Sequence, residues 1–325
     1  MSRLAGFLFV VLISSDAALS TELDLRTREA ISRSIPAIES KGQSWIDKKD
    51  CVSCHRVNTM VWSLGAARRV DIVGDHDIEE TLQWSLDRSL EVNDEGKLAL
   101  SGNMEGVAQL LLAQKMYFPD QDSEAVQRAF QKSLKEGVTK DGVWPAGGQL
   151  PSQKREKAET SAVSSYWLAF TVHELFSGDT RSSALESFDL DVPEELGAES
   201  TEWYAVRLLL ATALQEKSRA DRLRTALIEL QHEDGGWGWL VDGDSDALGT
   251  GLVIYGLLKS GVPADHAAIS AGRKFLLDSQ REDGTWDVRG TKSKKQHRTE
   301  ETAVYWGTTW AVIALSECLS VDEGS

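Results

Sequence analysis

The sequence predicts an all-α protein built from repeated helix pairs, and three observations support this. Several long stretches carry apolar residues at helical spacing, notably 203–214, 252–258 and 310–319. Only 6 of the 325 residues are proline, which leaves room for uninterrupted helices. A Gln-x-x-x-Gly-x-Trp pattern recurs at Gln231 and again at Gln280. Because one helix pair cannot bury both of its apolar faces, we expect about six pairs stacked into a closed ring.

The repeating unit is a helix, a Gly-rich turn that carries Trp, and a second helix. Two copies of the turn are complete, Gln231–Trp237 and Gln280–Trp286, and a third retains only Asp141-Gly142-Val143-Trp144. Apolar helices follow the three copies at 165–175, 249–258 and 307–319. The sequences at two predicted helix ends are also similar, because Gly137 and Gly261 are each followed by Val. This pattern predicts a left-handed glycine that stops the helix in a Schellman motif.

The Gln-x-x-x-Gly-x-Trp copies resemble the QW repeat of the terpenoid cyclase and prenyltransferase superfamily, as in squalene–hopene cyclases. Repeat-like helices extend the resemblance over roughly residues 40–320. It implies an α/α toroid, in which inner helices surround a cavity and outer helices wrap around them. The Gln amide suits a bond to neighbouring backbone and the Trp ring suits packing on the next unit, so we interpret these Trp residues as structural.

The acid motif of the class II cyclases in this superfamily is not preserved where we expect it. That motif is Asp-x-Asp-Asp-Thr-Ala, and its central Asp protonates an alkene. The nearest segment here is 242–250, and aligning Thr250 leaves Leu248 and Gly249 at the second and third Asp positions. An Asp-rich turn more often caps a helix. The zinc ligands of the superfamily's prenyltransferases are not evident either, so enzymatic activity stays open and a degenerate cyclase is the third interpretation.

The most specific chemical motif is Cys51-Val52-Ser53-Cys54-His55, which holds two of the chain's 3 cysteines. In this spacing two thiols add to the vinyl groups of haem and the adjoining imidazole binds the iron. We therefore predict covalent haem c on Cys51 and Cys54 with His55 as the axial iron ligand, in a protein of electron transfer or redox chemistry. The candidates for a sixth ligand are Met60, Met104, Met116 and His76.

Other interpretations of the cysteine pair remain open. A Cys51–Cys54 disulfide would suit an oxidising compartment, and the toroid would then be a non-catalytic binding module for an apolar, isoprenoid-like ligand or a protein partner. A zinc site would need further ligands, for which Asp75, His76 and Asp77 are conceivable. A redox dithiol normally accompanies a thioredoxin-like βαβ pattern, which the sequence lacks.

The N-terminus predicts export. A positive start with Arg3 precedes an apolar run at 4–13 and small residues up to Ser20, so we expect a signal peptide at 1–20 and a periplasmic or secreted bacterial protein. Beyond it we expect an N-terminal segment at 21–80 with the Cys-x-x-Cys-His motif and the first toroid helices. The toroid repeats follow at 81–320, and a C-terminal tail at 321–325.

The charge balance narrows the range of partners. With 35 Lys and Arg against 51 Asp and Glu, the net charge is −16, which argues against nucleic-acid binding. No stretch after the signal peptide reaches 18 apolar residues, so no integral membrane segment is expected in the mature chain. An apolar small molecule or a redox partner protein remains as the expected partner.

Two loops match each other and are basic. Lys154–Lys157 lies between Trp144 and the Glu-Thr pair at 159, and Lys292–Arg298 lies between Trp286 and the Glu-Thr pair at 301. We expect both loops at one rim of the toroid, where they would gate the cavity or dock an acidic partner. The alternative is a pair of solvated loops whose charge is balanced by local acids.

Overall fold

A computed structural model describes residues 15–49, 55–92, 94, 96–147, 150–186, 188 and 197–320. Twelve α-helices dominate this part of the chain. They are α1 (Ser15–Lys49), α2 (His55–Arg69), α3 (Ile78–Ser89), α4 (Met104–Tyr117), α5 (Glu124–Gly137), α6 (Lys157–Leu175), α7 (Gly178–Leu185), α8 (Thr201–Ala213), α9 (Lys217–Glu229), α10 (Ala247–Lys259), α11 (Ala267–Ser279) and α12 (Glu301–Ser320).

The even-numbered helices form a closed inner ring, and the odd-numbered helices lie outside it. Each inner helix packs on the next, from α2 round to α12, and α12 packs back on α2. Burial follows this division: α10 is buried at every position from Ala247 to Leu257, whereas α5 buries one stripe that includes Val126 and Phe130. The expected α/α toroid is confirmed. None of the helices described is long and apolar enough to cross a membrane.

The first complete QW turn holds its helices together through side-chain bonds to the backbone. The Gln231 amide donates to the carbonyl oxygen of Gly235 at 2.7 Å and to that of Ala268 on α11 at 2.8 Å. The indole nitrogen of Trp237 donates to the Leu227 carbonyl at 2.7 Å, and its ring is fully buried. The structural role that the sequence indicates for this Trp is confirmed.

The second QW turn closes the outer layer, because its partner helix is α1. The Gln280 amide donates to the carbonyl oxygen of Ala30 at 2.8 Å, and the Ser34 hydroxyl donates to the Gly284 carbonyl at 2.8 Å. Nearby, the buried Arg273 of α11 pairs with Asp24 of α1 at 2.5 Å. The last repeat, with α11 and the turn after it, is therefore joined directly to α1. We call this junction the seam, and the stack of repeats has no open end there.

The two helix stops that look alike in sequence differ in structure. Gly261 is left-handed at φ 89°, and the Val262 amide donates to the Leu257 carbonyl at 3.0 Å, as a Schellman motif requires. Gly137 lacks a positive φ, so the predicted left-handed stop there is wrong. The Trp144 ring packs directly on Gly137, where any Cβ would overlap it. Glycine is needed at this position for space rather than for backbone conformation.

The inner helices run in the same direction, because like ends of neighbouring inner helices contact one another. At one end, Arg56 near the start of α2 pairs with Glu301, the first residue of α12, at 2.8 Å. At the other end, Glu317 late in α12 binds Arg69 at 2.6 Å and Lys259 at 2.7 Å, which end α2 and α10. We call these ends the N-terminal rim and the C-terminal rim.

Substitution of Gly284 tests the closing seam. Gly284 has φ 78°, and a Cβ there would overlap the backbone carbonyl of Arg33 in α1, whereas Gly261 has a similar φ with open space around it. We expect Gly261→Ala to lower the unfolding free energy by about 1 kcal/mol, and Gly284→Ala to lower it by at least about 2 kcal/mol more. Urea denaturation measures both, and equal losses would contradict the close contact between the repeats.

Candidate functional site

Four aromatic rings meet on the axis of the toroid and form what we call the aromatic plug: Trp62, Trp167, Tyr255 and Trp310. They come from α2, α6, α10 and α12, and their contacting ring centroids lie 5.6–6.1 Å apart. Each side chain is less than 2% exposed. The resemblance implies a cavity inside the inner ring, but at mid-height that space is packed with side chains.

The C-terminal rim is closed by an ion-pair network beneath the plug. Besides Arg69 and Lys259, Glu317 accepts a hydrogen bond from the hydroxyl of Tyr117 at 2.6 Å. Burial alone would raise the pKa of Glu317, but the two cations and this hydroxyl hold it below its usual value. The same buried surroundings, with Glu317 nearby, raise the pKa of Tyr117 well above its usual range. This rim therefore holds a carboxylate that is ionised at neutral pH and fully paired.

On the other side of the plug lies what we call the acid cluster: Glu105, Arg155, Ser164 and Glu202. The Ser164 hydroxyl on α6 donates to the Glu105 carboxyl on α4 at 2.5 Å. Arg155, just before α6, donates to the Glu202 carboxyl on α8 at 2.8 Å. The side chains of Arg155 and Glu202 are 0% and 1% exposed. Three inner helices and one loop thus bring two carboxyls and one guanidinium together inside the ring.

Glu202 links the acid cluster to its aromatic surroundings. The indole nitrogen of Trp239 donates to one carboxyl oxygen at 3.3 Å, and that of Trp167 in the plug approaches the other at 3.5 Å. The Arg155 guanidinium also lies over the Trp239 ring, 5.3 Å from its centroid. The acid cluster therefore rests directly on the plug, with Trp239 on its outer side.

Glu105 is the residue of the cluster that is poised to exchange a proton. Burial and, after it, the charge of Glu202 raise its pKa to about 7, against the opposing effects of the Ser164 hydrogen bond and of Arg155. A carboxyl of this kind is partly protonated at neutral pH, which suits a general acid or a hydrogen-bond donor to a ligand.

Sequence reasoning missed Glu105, although a signal was present. Residues 103–108 read Asn-Met-Glu-Gly-Val-Ala, which puts Glu105 at the central acid and Ala108 at the last position of the Asp-x-Asp-Asp-Thr-Ala pattern. A search for paired aspartates leads instead to 242–250. An acid in the first turn of an otherwise apolar helix was the available clue, since a lone carboxyl there must be buried with a partner.

The Asp-rich turn at 242–250 has the capping role expected of it. Asp246 precedes α10, and its carboxyl accepts from the backbone N–H of Gly249 at 2.8 Å and of Trp239 at 2.9 Å. Burial raises its pKa to about 6. Asp242 and Asp244 are exposed. The turn organises the start of α10 and does not enter the acid cluster.

The predicted haem-binding residues lie at the edge of what the structure describes. Cys51 and Cys54 fall outside the described residues, and so does the side chain of His55. The backbone of His55 begins α2, which places the end of the motif at the N-terminal rim. The thioether and axial-ligand roles of the three residues stay predictions.

The four candidates for a sixth iron ligand lie at different ends of the molecule. Met104 begins α4 at the N-terminal rim, and Met60 is buried in α2 with its sulfur close to Gly42 of α1. Met116 lies near the C-terminal rim, 3.7 Å from the Tyr255 hydroxyl, and His76 follows the end of α2. An α-helix as long as α2 spans about 20 Å, which places Met116 far from the start of α2. The identity of a sixth iron ligand stays a prediction.

The zinc alternative finds no support in the described part of the chain. His76 contacts the Thr81 hydroxyl at 2.6 Å, and Asp77 caps α3 by accepting from the N–H of Glu79 and Glu80. No group of three or more His, Cys, Asp or Glu there could hold a metal ion. The third cysteine, Cys318, is buried near the C-terminal rim, and burial raises its pKa to about 12, so it is an unreactive thiol.

The two basic loops do meet at the N-terminal rim. Gln153 and Lys292 form an antiparallel bridge, and the Lys154 amide donates to the Thr291 carbonyl at 2.8 Å. One member of the first loop was wrongly assigned to the basic surface: Arg155 points into the acid cluster, where Glu202 neutralises it. Docking of an acidic partner on the remaining cations stays a prediction.

Comparison with known proteins supports the fold. No family model matches the chain. Cycloartenol synthase of Dictyostelium discoideum is 36% identical over 66 residues, which are 20% of this chain and only 9% of that enzyme. The type II terpene cyclase MstE from Scytonema, in complex with merosterolic acid A, is 14% identical with a TM-score of 0.56, covering 90% of this chain and 97% of that one.

Two further solved structures are similar. MstE in complex with its substrate geranylgeranyl dihydroxybenzoate is 13% identical with a TM-score of 0.52, covering 90% of this chain and 98% of that one. A protein from Actinoplanes is 13% identical with a TM-score of 0.51, covering 81% of this chain and 90% of that one. At this identity the likeness establishes the α/α toroid and nothing finer.

The proton on Glu105 makes stability depend on pH. Because its pKa is higher in the folded chain, its contribution to stability is full below about pH 4.5 and is lost as the pH rises to about 7. The loss is on the order of 3 kcal/mol. We expect Glu105→Gln to remove this decline in urea denaturation between pH 5 and 8.

Glu301→Gln is the matched control for this experiment. The hydrogen bond from Arg56 holds the pKa of Glu301 below its usual value, so that carboxyl stabilises the fold at higher pH and the contribution is lost on acidification. Its substitution should leave the slope between pH 5 and 8 unchanged and alter the pH dependence only at more acidic pH. Identical slopes for the wild type and Glu105→Gln would contradict the buried, protonated acid.

Proposed function

We propose that this protein is an exported c-type haem protein that carries haem on the N-terminal rim of an α/α toroid and works in electron transfer or other redox chemistry. Cys51 and Cys54 would form the thioethers and His55 would bind the iron. The observation that carries the proposal is the Cys-x-x-Cys-His motif ending at the first residue of α2. Two thiols and an adjoining imidazole are the donor set that covalent haem requires.

The residues next to the motif fit a firmly held axial ligand. Arg56 follows His55 and is 2% exposed. Its guanidinium pairs with Glu301 and lies over the rings of Trp45 at 4.5 Å and Tyr305 at 5.1 Å. The Tyr305 hydroxyl donates to the Arg56 carbonyl at 3.0 Å. These contacts fix the first turn of α2, in which the motif ends. A bound haem would supply one-electron chemistry at this rim.

Export is compatible with the way α1 is anchored. Cleavage after Ser20 would remove the predicted signal peptide and leave the anchors that join α1 to α11. Those anchors include the Asp24–Arg273 and Arg26–Asp278 ion pairs. Bacterial c-type haems are attached outside the cytoplasm, so a signal peptide and the Cys-x-x-Cys-His motif support each other.

A redox partner would meet the haem at the same rim as the basic loops. Lys154, Lys294 and Arg298 are exposed there in a chain of net charge −16. We therefore propose an acidic protein as the redox partner, since complementary charge speeds encounter between proteins. Association that weakens with added salt is the corresponding signature.

As a second candidate we propose that the toroid binds an apolar, isoprenoid-type molecule. The observation in its favour is the acid cluster, which joins Glu105, partly protonated at neutral pH, to Glu202 beside Trp167 of the plug. Proteins of the same fold bind geranylgeranyl dihydroxybenzoate and merosterolic acid A. Because the plug fills the axis, such a ligand would lie on the N-terminal side of it. A degenerate cyclase, with Glu105 as the acid, is the catalytic form of this candidate.

The haem proposal is tested by making the protein in a host that matures c-type cytochromes. We expect a Soret band and a mass increase of one haem on the mature chain. Cys51→Ala together with Cys54→Ala should abolish both, because the thioethers cannot form. Cys318→Ala is the matched control and should leave both unchanged. A wild-type preparation from this host with the unmodified mass and no Soret band would reject the haem.

The second candidate is tested with geranylgeraniol as the probe. Quenching of tryptophan fluorescence reports binding beside the plug, and mass spectrometry of the extracted lipid reports cyclisation. If Glu105 is the acid, Glu105→Gln should bind the probe but form at least about 100-fold less product. Binding without product indicates the non-catalytic module. Absence of both signals in the wild type would reject this candidate and leave the haem proposal untouched.

A further inference from the structure

Arg155 of the acid cluster has one buried donor group that no residue uses. Its Nη1 donates to the Ser200 hydroxyl at 3.0 Å and to the Glu202 carboxyl at 2.8 Å, and its Nε approaches the Thr160 hydroxyl at 3.4 Å. Nη2 has no hydrogen-bond partner among the described residues, although the side chain is 0% exposed. A buried guanidinium N–H without a partner costs free energy, which a ligand oxygen would recover.

Glu105 supplies a second donor group to the acid cluster. The Ser164 hydroxyl donates to its Oε2 at 2.5 Å, so the proton of the neutral carboxyl lies on Oε1. Within the described residues Oε1 has no hydrogen-bond partner of its own. The charge of Arg155 acts on the pKa of Glu105, so the two groups lie close together. The cluster therefore holds two neighbouring donors that lack an acceptor.

The charges of the acid cluster favour an uncharged ligand. Glu202 neutralises Arg155, and its carboxyl oxygens also accept from the indole nitrogens of Trp239 and Trp167. With Glu105 protonated, the cluster is neutral. A carboxylate ligand would bring a second negative charge beside Glu202, and an ammonium would find no unpaired carboxylate in the cluster. The group that suits two donors and no free charge is a carbonyl oxygen, which accepts two hydrogen bonds and donates none.

The surroundings of the cluster suit an apolar body attached to that carbonyl. Trp167, which approaches Glu202 at 3.5 Å, belongs to the plug, and its ring centroid lies 6.1 Å from those of Trp62 and Trp310. Glu105 lies in the first turn of α4 and is 6% exposed, so the cluster is not sealed at this end. A ligand with its carbonyl at the cluster would therefore place its chain against aromatic rings.

We propose that the acid cluster binds the head group of a neutral isoprenoid that carries a carbonyl, as ketones and quinones do, with Nη2 of Arg155 and Oε1 of Glu105 donating to the carbonyl oxygen. The inference rests on the second candidate function, an apolar ligand inside the toroid, and it gives that ligand a chemical class. Glu105 acts in this role as a hydrogen-bond donor to the ligand, and no bond is made or broken. The site is independent of the haem.

The binding test compares farnesylacetone with β-farnesene, a ketone and a hydrocarbon built on the same isoprenoid chain. Equilibrium dialysis of the mature full-length protein at pH 6 measures both dissociation constants. We expect the ketone to bind at least about 30-fold more tightly, because only its oxygen satisfies the two buried donors. Equal binding of both probes would overturn the carbonyl site and leave the toroid as an apolar binding module. If neither probe binds, the second candidate function fails together with this inference.

The affinity for the ketone should fall as the pH rises, because ionisation turns Oε1 of Glu105 from a donor into a charged acceptor. The charged groups that act on Glu105 are Glu202 and Arg155, while Asn58 of α2 is uncharged and bonds to Gln109 at 2.8 Å. With a pKa of about 7, the dissociation constant of farnesylacetone should rise about tenfold between pH 6 and pH 8, and that of β-farnesene should not change. A pH-independent affinity for the ketone would overturn the contact with Glu105.

Two substitutions test the donors separately. Glu105→Gln keeps an N–H donor in place of the acid, so it should bind farnesylacetone with the same affinity at pH 6 and pH 8. Arg155→Lys keeps the charge opposite Glu202 but lacks the second arm of the guanidinium, so it should bind the ketone at least about fivefold more weakly and β-farnesene unchanged. Lys154→Gln, at the neighbouring exposed position, is the control and should change neither affinity. Equal losses for both probes in Arg155→Lys would show a structural role alone and would overturn the contact.

Discussion

The seam between the last repeat and α1 is the constraint on which the rest of the molecule depends. The Gln280 amide reaches the Ala30 carbonyl, Arg273 pairs with Asp24, and Gly284 lies against the backbone of α1. Without this closure the apolar faces at both ends of the stack would meet water. The inner helices of the closed ring run in parallel, so that their starting ends share one rim.

That parallel arrangement divides the molecule into two ends with different chemistry. The aromatic plug separates them at mid-height, and Glu317 at the C-terminal rim is fully neutralised by Arg69 and Lys259. The N-terminal rim holds the unusual groups: the end of the Cys-x-x-Cys-His motif, the acid cluster and the paired basic loops. The partial positive charge at the starts of six helices also favours anionic groups at this end.

Features that depend on short stretches of chain were predictable, and features that depend on distant partners were not. The turns at Gln231 and Gln280 and the cap at Asp246 follow from local patterns that recur in many proteins. Glu105 was missed because Ser164 and Glu202, which give the carboxyl its properties, belong to later repeats. Arg155 looked like a surface cation for the same reason. Gly137 shows the limit of a local rule, since the packing of Trp144 decides its role.

Anomalous diffraction at the iron absorption edge tests the central claim most directly, namely that haem sits where the inner helices begin. Crystals would be grown from mature protein made in a host that matures c-type cytochromes. We expect one iron peak per chain at the N-terminal rim, beside the start of α2 and within bonding distance of the His55 imidazole. An iron peak at the C-terminal rim, or an iron-free chain with Cys51 and Cys54 joined in a disulfide, would contradict it.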